Sequence, residues 1–182
     1  MSAAAPPSDY RLLVPRDWFR IDLTHERWRH QLKTFVDRES ADSHVPAEAT
    51  RSIWATLRNT AENGVAHGAL EFYLKTESPG DAAMPASLLV SLAHTPRGLT
   101  PPPEEFARAM AQRSGRQNTE FDVVVLPAGE AVRAVTETNL DFHVHMPGDM
   151  GYLLLAFSTP MSSTTSPMGD LCDAIAHSLR WV

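Results

Sequence analysis

The stretch Gly151-Tyr-Leu-Leu-Leu-Ala-Phe-Ser-Thr-Pro160, followed by residues 166–182, decides the fold that this sequence predicts. The run from Tyr152 to Phe157 is almost entirely apolar and ends at Ser-Thr-Pro, which is typical of a strand covered on both faces. Such a strand belongs in the middle of a sheet. Ser166 and Pro167 are residue types favoured at the N-cap and the first position of a helix. We therefore expect a central strand followed by an amphipathic helix that packs nearby.

The rest of the chain alternates between the two-residue period of strands and the longer period of helices. Further helices are expected from Thr24, from Pro46 to a C-terminal glycine at Gly64, and from Pro103 to Ser114. Turn residues between the strands predict hairpins at three places. The predicted strands span residues 10–14, 18–23, 70–76, 87–93, 121–126, 131–137, 140–146 and 152–157, and the hairpin turns lie at 78–81, 127–130 and 147–149.

Strands joined mainly by tight turns, and not by helices, predict an antiparallel sheet. The expected fold class is α+β, with an antiparallel sheet of about seven to eight strands and helices packed on it. A chain of 182 residues, 43% of them hydrophobic, suffices for one sizeable core. We expect a flexible tail over residues 1–9 and a single domain over residues 10–182.

Composition excludes several partners. The net charge of −6 argues against a nucleic-acid partner, because phosphate backbones are bound by basic faces. No segment has the roughly 20 apolar residues that a membrane helix needs, so no membrane insertion is expected. Residues 1–9 lack the basic and apolar regions of a signal peptide, which predicts a cytoplasmic protein. The single cysteine, Cys172, excludes an internal disulfide and is expected to be a small buried residue.

The segment Asp141-Phe-His143-Val-His145 is the sharpest local pattern of chemical groups. In a strand these three side chains share one face, and Phe142, Val144 and Met146 point into the core. Two imidazoles and a carboxylate at this spacing can bind a transition metal. A solvated polar face is the other interpretation. The metal interpretation requires a pocket with another donor, such as His67 or His94.

Motifs of known catalytic chemistry are lacking in the sequence. It has no G-x-S-x-G nucleophile motif, and Gly148-Asp-Met-Gly151 precedes a strand, whereas the phosphate-binding loops precede a helix. Glu104 and Glu105 lie where a helix begins, where negative charge complements the helix dipole. We therefore predict no catalytic residue and no cofactor.

Seven segments are compared together: residues 14–23, 71–74, 85–90, 126–129, 154–160, 173–176 and 179–181. In combination they resemble a group of small uncharacterised actinobacterial proteins. The resemblance extends from Tyr10 to Trp181, and the order of elements is in turn similar to the PsbP-like sandwich fold of secretion-effector chaperones and mycobacterial lipoproteins. It implies a chain that binds proteins or assists assemblies, without a catalytic motif to carry over. Unlike the lipoproteins, this sequence has no lipobox.

Two functions follow as expectations. The first is a non-enzymatic protein-binding module, an adaptor or chaperone linked to a specialised bacterial secretion system, with an apolar groove or patch on the sheet or beside the last helix. The alternative is a small metal- or ligand-binding protein that uses the strand face of Asp141, His143 and His145. The partner's identity and the oligomeric state do not follow from the sequence.

Overall fold

The computed structural model describes residues 7, 9–75, 86–115 and 118–182. The predicted tail at residues 1–6 and 8, and the predicted turn at 78–81, lie outside the described residues. The helices are α1 Trp28–Asp42, α2 Ala47–Ala66, α3 Pro103–Arg113 and α4 Pro167–His177. The strands are β1 Tyr10–Arg11, β2 Trp18–Asp22, β3 Ala69–Lys75, β4 Ser87–His94, β5 Glu120–Leu126, β6 Gly129–Val135, β7 Asn139–His145, β8 Gly151–Ser158 and β9 Arg180–Trp181.

Seven strands form one antiparallel sheet in the order β2-β3-β4-β8-β7-β6-β5. The α+β class with an antiparallel sheet and packed helices is therefore confirmed. Strand β8 lies in the middle, where Leu155 pairs with Val90 of β4 and with Phe142 of β7. The hairpins β5–β6 and β7–β8 are confirmed as well. After β4 the chain forms α3, the β5–β6 hairpin and then the β7–β8 hairpin. The last strand of this series, β8, pairs with β4.

One face of the sheet, which we call the α4 face, carries the larger apolar core. Leu153, Leu155 and Phe157 of β8 point to it and are at most 1% exposed. Cys172 and Ile175 of α4 complete this core, as the helical spacing predicts. The Ser166 hydroxyl accepts a hydrogen bond from the N–H of Met168 at 3.3 Å, so the predicted N-cap is confirmed.

The opposite face, which we call the α2–α3 face, carries a second apolar core under α1 and α2. Phe72 and Leu74 of β3 lie there with Leu32 and Phe35 of α1. The predicted end of α2 at Gly64 is wrong. Gly64 lies inside the helix, where a Cβ would come 2.9 Å from Leu89 Cδ2, so glycine there permits close packing on β4.

The helix ends instead at Ala66, and Gly68 takes the left-handed conformation with φ of 86°.

The first and last strands pair with each other. Tyr10 of β1 is opposite Trp181 of β9, in a two-stranded ribbon that is separate from the large sheet. The sequence predicted a strand over residues 10–14, whereas β1 ends at Arg11. The Trp181 indole N–H donates a hydrogen bond of 2.7 Å to the Ala128 carbonyl. The ribbon is thereby tied to the turn between β5 and β6.

Among the described residues, no helix has both the length and the hydropathy needed to cross a bilayer.

Candidate functional site

A cleft of about 740 Å³ opens on the α2–α3 face of the sheet. Helix α2 covers β3 and β4, and α3 covers β5 and β6, so that parts of β8 and β7 lie between the two helices. Thr60 of α2 lines one side of this α2–α3 cleft, and Met110 of α3 lines the other. Its floor includes Leu89 of β4 and Ala156 of β8. The cleft therefore lies over the middle of the sheet.

The cleft exists because the two faces of β8 are covered unequally. Leu153, Leu155 and Phe157 are buried on the α4 face, whereas Leu154, Ala156 and Ser158 are only half-buried. The run from Tyr152 to Phe157 predicted a central strand covered on both faces. The central position of β8 in the sheet is confirmed. The prediction that both of its faces are buried is wrong for the α2–α3 face.

Polar groups are placed at one end of the cleft, where β7 begins and β6 and β8 end. Ser158, Asn139 and Asp141 lie along this end, and Arg113 projects from the last turn of α3. Thr119 contributes a buried hydroxyl that has no hydrogen-bond partner among the described residues. The cleft thus combines apolar walls with hydrogen-bonding groups, as sites for small ligands and peptides do.

The strand face predicted for Asp141, His143 and His145 is present. Leu140, Phe142 and Val144 are buried on the α4 face, and the three chemical groups point to the α2–α3 face. They do not form one site there. Asp141 lines the α2–α3 cleft, whereas neither histidine lines it.

The interpretation of this strand as a solvated face is wrong for His143. Its ring meets the Phe106 ring of α3 edge-on, with centroids 5.3 Å apart, and Phe106 stacks on Tyr152 at 4.4 Å. This burial lowers the pKa of His143 to about 4, because the charged imidazolium loses its solvation. His143 is therefore neutral near pH 7 and belongs to an aromatic cluster that holds α3 on the sheet.

His145 lies at the outer end of the same cluster. Its Nε2 atom is 3.4 Å from Asp149 Oδ1 without hydrogen-bond geometry, and its ring lies 5.2 Å from that of Tyr152. The Tyr152 hydroxyl donates a hydrogen bond of 2.7 Å to the Pro101 carbonyl. Burial raises the pKa of Tyr152 to about 12, so the tyrosine remains a neutral donor.

The two further donors considered for a metal do not join this strand face. His67 caps α2, where its Nδ1 lies 2.7 Å from the Asn63 carbonyl. His94 pairs with Gly151, and this register puts it on the face opposite His145. In the described part of the chain, no group of three or more His, Cys, Asp or Glu side chains is placed to hold a metal ion.

A buried polar cluster beneath β1 was missed by the sequence reasoning. Glu71 of β3 is 9% exposed and accepts hydrogen bonds of 2.5 Å from the Tyr10 hydroxyl and from Arg20 Nε. Glu71 lies at a polar position of an alternating strand, and such a pattern gives no sign that a carboxylate is buried. Both its oxygens have partners, which makes this cluster a structural tie between β1, β2 and β3.

Cys172 does not offer a reactive thiol. It is fully buried in the core of the α4 face, and this burial raises its pKa to about 12. Its expected role as a small buried residue agrees with this position.

Comparison of the chain with protein-family models, with curated proteins and with solved structures found no match. The resemblance to the actinobacterial group and to the PsbP-like sandwich therefore stays a prediction from the sequence.

Proposed function

We propose that this chain is a non-enzymatic protein-binding module whose α2–α3 cleft receives an apolar segment of a protein partner. The observation that supports this most is that Ala156 and Ser158 of the central strand are only half-buried and line the cleft. A central strand is the part of a sheet that is ordinarily covered best, and apolar surface left open there favours an incoming apolar group.

The side chains of the cleft define the chemistry of that segment. Leu89, Met110 and Phe121 provide apolar surface in the cleft, and Ala134 and Ala156 are small enough to leave depth between them. Methionine is unbranched and adapts to groups of different shape, which suits a surface that binds a peptide. Arg113 at the rim favours a segment with an acidic residue beside its apolar anchor.

The wider role that we propose is that of an adaptor or chaperone linked to a specialised bacterial secretion system. Its support is the sequence resemblance, together with an antiparallel α+β sandwich of the kind that the resemblance implies. A cleft that binds a short apolar segment is compatible with such a role, since a chaperone must cover apolar parts of its client.

The volume of the cleft also supports a second candidate, the binding of a small organic ligand. Pockets for small molecules span roughly 300 to 1,000 Å³, and the cleft falls inside that range. Asp141 of β7 would then provide a polar contact to the small ligand. The two functions differ in what occupies the same cleft, so one set of variants tests both.

The test uses the full chain, a displayed library of random peptides and the variant Ala156→Phe, whose ring would occupy the floor of the cleft. Leu99→Phe is the matched control, because Leu99 is 70% exposed and lies outside the cleft. We expect the wild type and Leu99→Phe to select the same apolar peptides and to bind them equally by calorimetry. Ala156→Phe should weaken this binding at least tenfold with an unchanged circular dichroism spectrum.

Equal binding by Ala156→Phe would contradict the proposed site. Native mass spectrometry of the untagged protein separates the two candidates, since a small organic molecule that is retained by the wild type and lost in Ala156→Phe would favour the second. Metal analysis of the same sample tests whether the chain binds a transition metal. We expect no stoichiometric transition metal, and a full equivalent that His143→Ala removes would restore the Asp141, His143 and His145 site.

A further inference from the structure

Strand β5 forms one end of the seven-stranded sheet. It pairs with β6 over its full length from Glu120 to Leu126, without a shift in register. Among the described residues, no backbone hydrogen bond reaches its other side. The opposite end strand, β2, is shorter at five residues and carries Arg20 and Asp22. Each edge strand carries two charged residues, but β5 is longer and adds the apolar run from Val123 to Leu126.

The register shows which backbone groups of β5 point away from the sheet. The turn to β6 has two residues, Pro127 and Ala128, between the paired residues Leu126 and Gly129. In such a hairpin the closing pair exchanges hydrogen bonds, and every second residue does so along the strands. The N–H and C=O groups of Phe121, Val123 and Val125 consequently face outward.

The edge of β5 has few of the features that commonly prevent pairing with another strand. Lysine, proline and bulges are absent from the segment Glu120-Phe-Asp-Val-Val-Val-Leu126, and its two charged residues, Glu120 and Asp122, lie before an uninterrupted apolar run. Val125 is 76% exposed, the largest exposed fraction among the large apolar side chains of the described residues. Aliphatic β-branched residues at an open edge favour the addition of a strand.

We propose that β5 pairs with β5 of a second copy of this chain, antiparallel and about a two-fold axis at Val123. This register places Val123 opposite the partner's Val123 and Phe121 opposite the partner's Val125. These three outward-facing positions, paired with one another, form six intermolecular backbone hydrogen bonds and join the two sheets into one. The dimer would also cover the exposed Val125 with an aromatic ring.

The charges of β5 are compatible with this register. Glu120 lies opposite the partner's Leu126, and Asp122 lies opposite the partner's Val124, so no two carboxylates are directly opposed. The two Asp122 residues are exposed diagonal neighbours about 8 Å apart, where water screens their repulsion. Aromatic and β-branched residues in opposition stabilise antiparallel pairs. Because the strand is complementary to itself in this way, a second copy is the partner that its sequence favours. This inference does not depend on the proposed function of the cleft.

The first test measures molar mass by light scattering during size-exclusion chromatography, over a series of concentrations. We expect the wild type to approach the mass of a dimer as concentration rises. Val125→Lys should raise the dissociation constant of the dimer at least tenfold, because the lysine would replace an apolar group at the interface. Leu99→Lys, at a similarly exposed position outside the edge, should dimerise like the wild type.

The second test determines the register by oxidative cross-linking. In the proposed dimer the Cα atoms of two Val123 residues are about 5.5 Å apart, within the range of a disulfide. Those of two Asp122 residues are about 8 Å apart, beyond that range. Val123→Cys should therefore form a covalent dimer and Asp122→Cys should not. The native Cys172 is fully buried and does not interfere.

A wild type that stays monomeric up to its limit of solubility would overturn the proposal. So would a dimer that Val125→Lys leaves intact, or a disulfide that forms through Asp122→Cys and not through Val123→Cys. A monomer whose β5 instead binds an unrelated extended peptide would assign the edge to a different partner and would equally reject the dimer.

Discussion

The two faces of the sheet are built from the same strands and are covered to different degrees. On the α4 face, one helix and the β1–β9 ribbon bury the side chains of the central strands almost completely. On the α2–α3 face, helices at both sides leave a cleft of about 740 Å³ over β8 and β7. A single strand therefore contributes to a closed core on one face and to the floor of an open cleft on the other.

The largest expected effect distinguishes the two faces at neighbouring positions of β8. Leu155→Ala removes a fully buried side chain from the α4 face and should lower the free energy of unfolding by roughly 2 to 5 kcal/mol. Leu154→Ala changes the same residue type on the half-buried face, and we expect about 1 kcal/mol or less. Urea denaturation of both variants measures the difference. Equal losses would show that the two faces do not differ as described.

The next effect concerns the aromatic cluster under α3. The pKa of His143 is lowered from 6.5 to about 4 in the folded chain, so the unfolded chain binds more protons between these two pH values. The contribution of His143 to stability is present above pH 6.5 and is lost as the pH falls toward 4. The shift corresponds to a loss of up to about 3 kcal/mol.

Denaturation curves of the wild type and of His143→Gln between pH 7 and about 4 test this loss. We expect the variant to be less sensitive to pH over that range. His67→Gln, at an exposed position that caps α2, is the control and should follow the wild type. A wild type and a His143→Gln variant with parallel curves would contradict the burial of the neutral ring.

The smallest effect concerns the caps of the helices on the two faces. Ser166 caps α4 with its hydroxyl, whereas Pro102 precedes α3 without a side-chain hydrogen bond. Ser166→Ala should lower the free energy of unfolding by about 1 kcal/mol. Ser162→Ala, in the same loop but before the cap position, should cost less in the same thermal or urea experiment. A cost from Ser162→Ala as large as that from Ser166→Ala would show that the hydroxyl of Ser166 has no special role.

Local patterns predicted much of the fold. The hairpin at Pro147, Gly148 and Asp149 is confirmed because these residues supply the backbone conformations of a tight turn, including φ of 79° at Gly148 and 55° at Asp149. The cap at Ser166 is equally local. Such features depend on a few adjacent residues, and for that reason they can be recognised in a single sequence.

Pairings between distant segments were beyond reach of the same reasoning. Tyr10 meets Trp181 across nearly the whole chain, and nothing near either residue specifies the other. Gly64 was assigned to the end of a helix because its contact with Leu89 of β4 depends on how α2 lies on the sheet. Internal packing of this kind also decides the burial of Glu71.

The candidate site shows the same difference between local features, which the sequence predicts, and packing between distant segments, which it does not. Strand alternation predicted that Asp141, His143 and His145 share a face, because alternation is a property of the strand alone. The lateral position of α3 decides that Asp141 reaches the cleft and that His143 lies under Phe106. The cleft itself is a gap between two helices, and hydrophobic periodicity contains no information about such a gap.

The β1–β9 ribbon has a mechanical consequence. The N–H of Asp9 donates to the Val182 carbonyl and the N–H of Val182 donates to the Asp9 carbonyl, each at 3.0 Å, so these two positions lie side by side. A force applied between them would open the ribbon one pair at a time, and the hydrogen bonds of the large sheet would bear load only afterwards. Pulling on single molecules from residues 9 and 182 should accordingly show a weak first event followed by a stronger one.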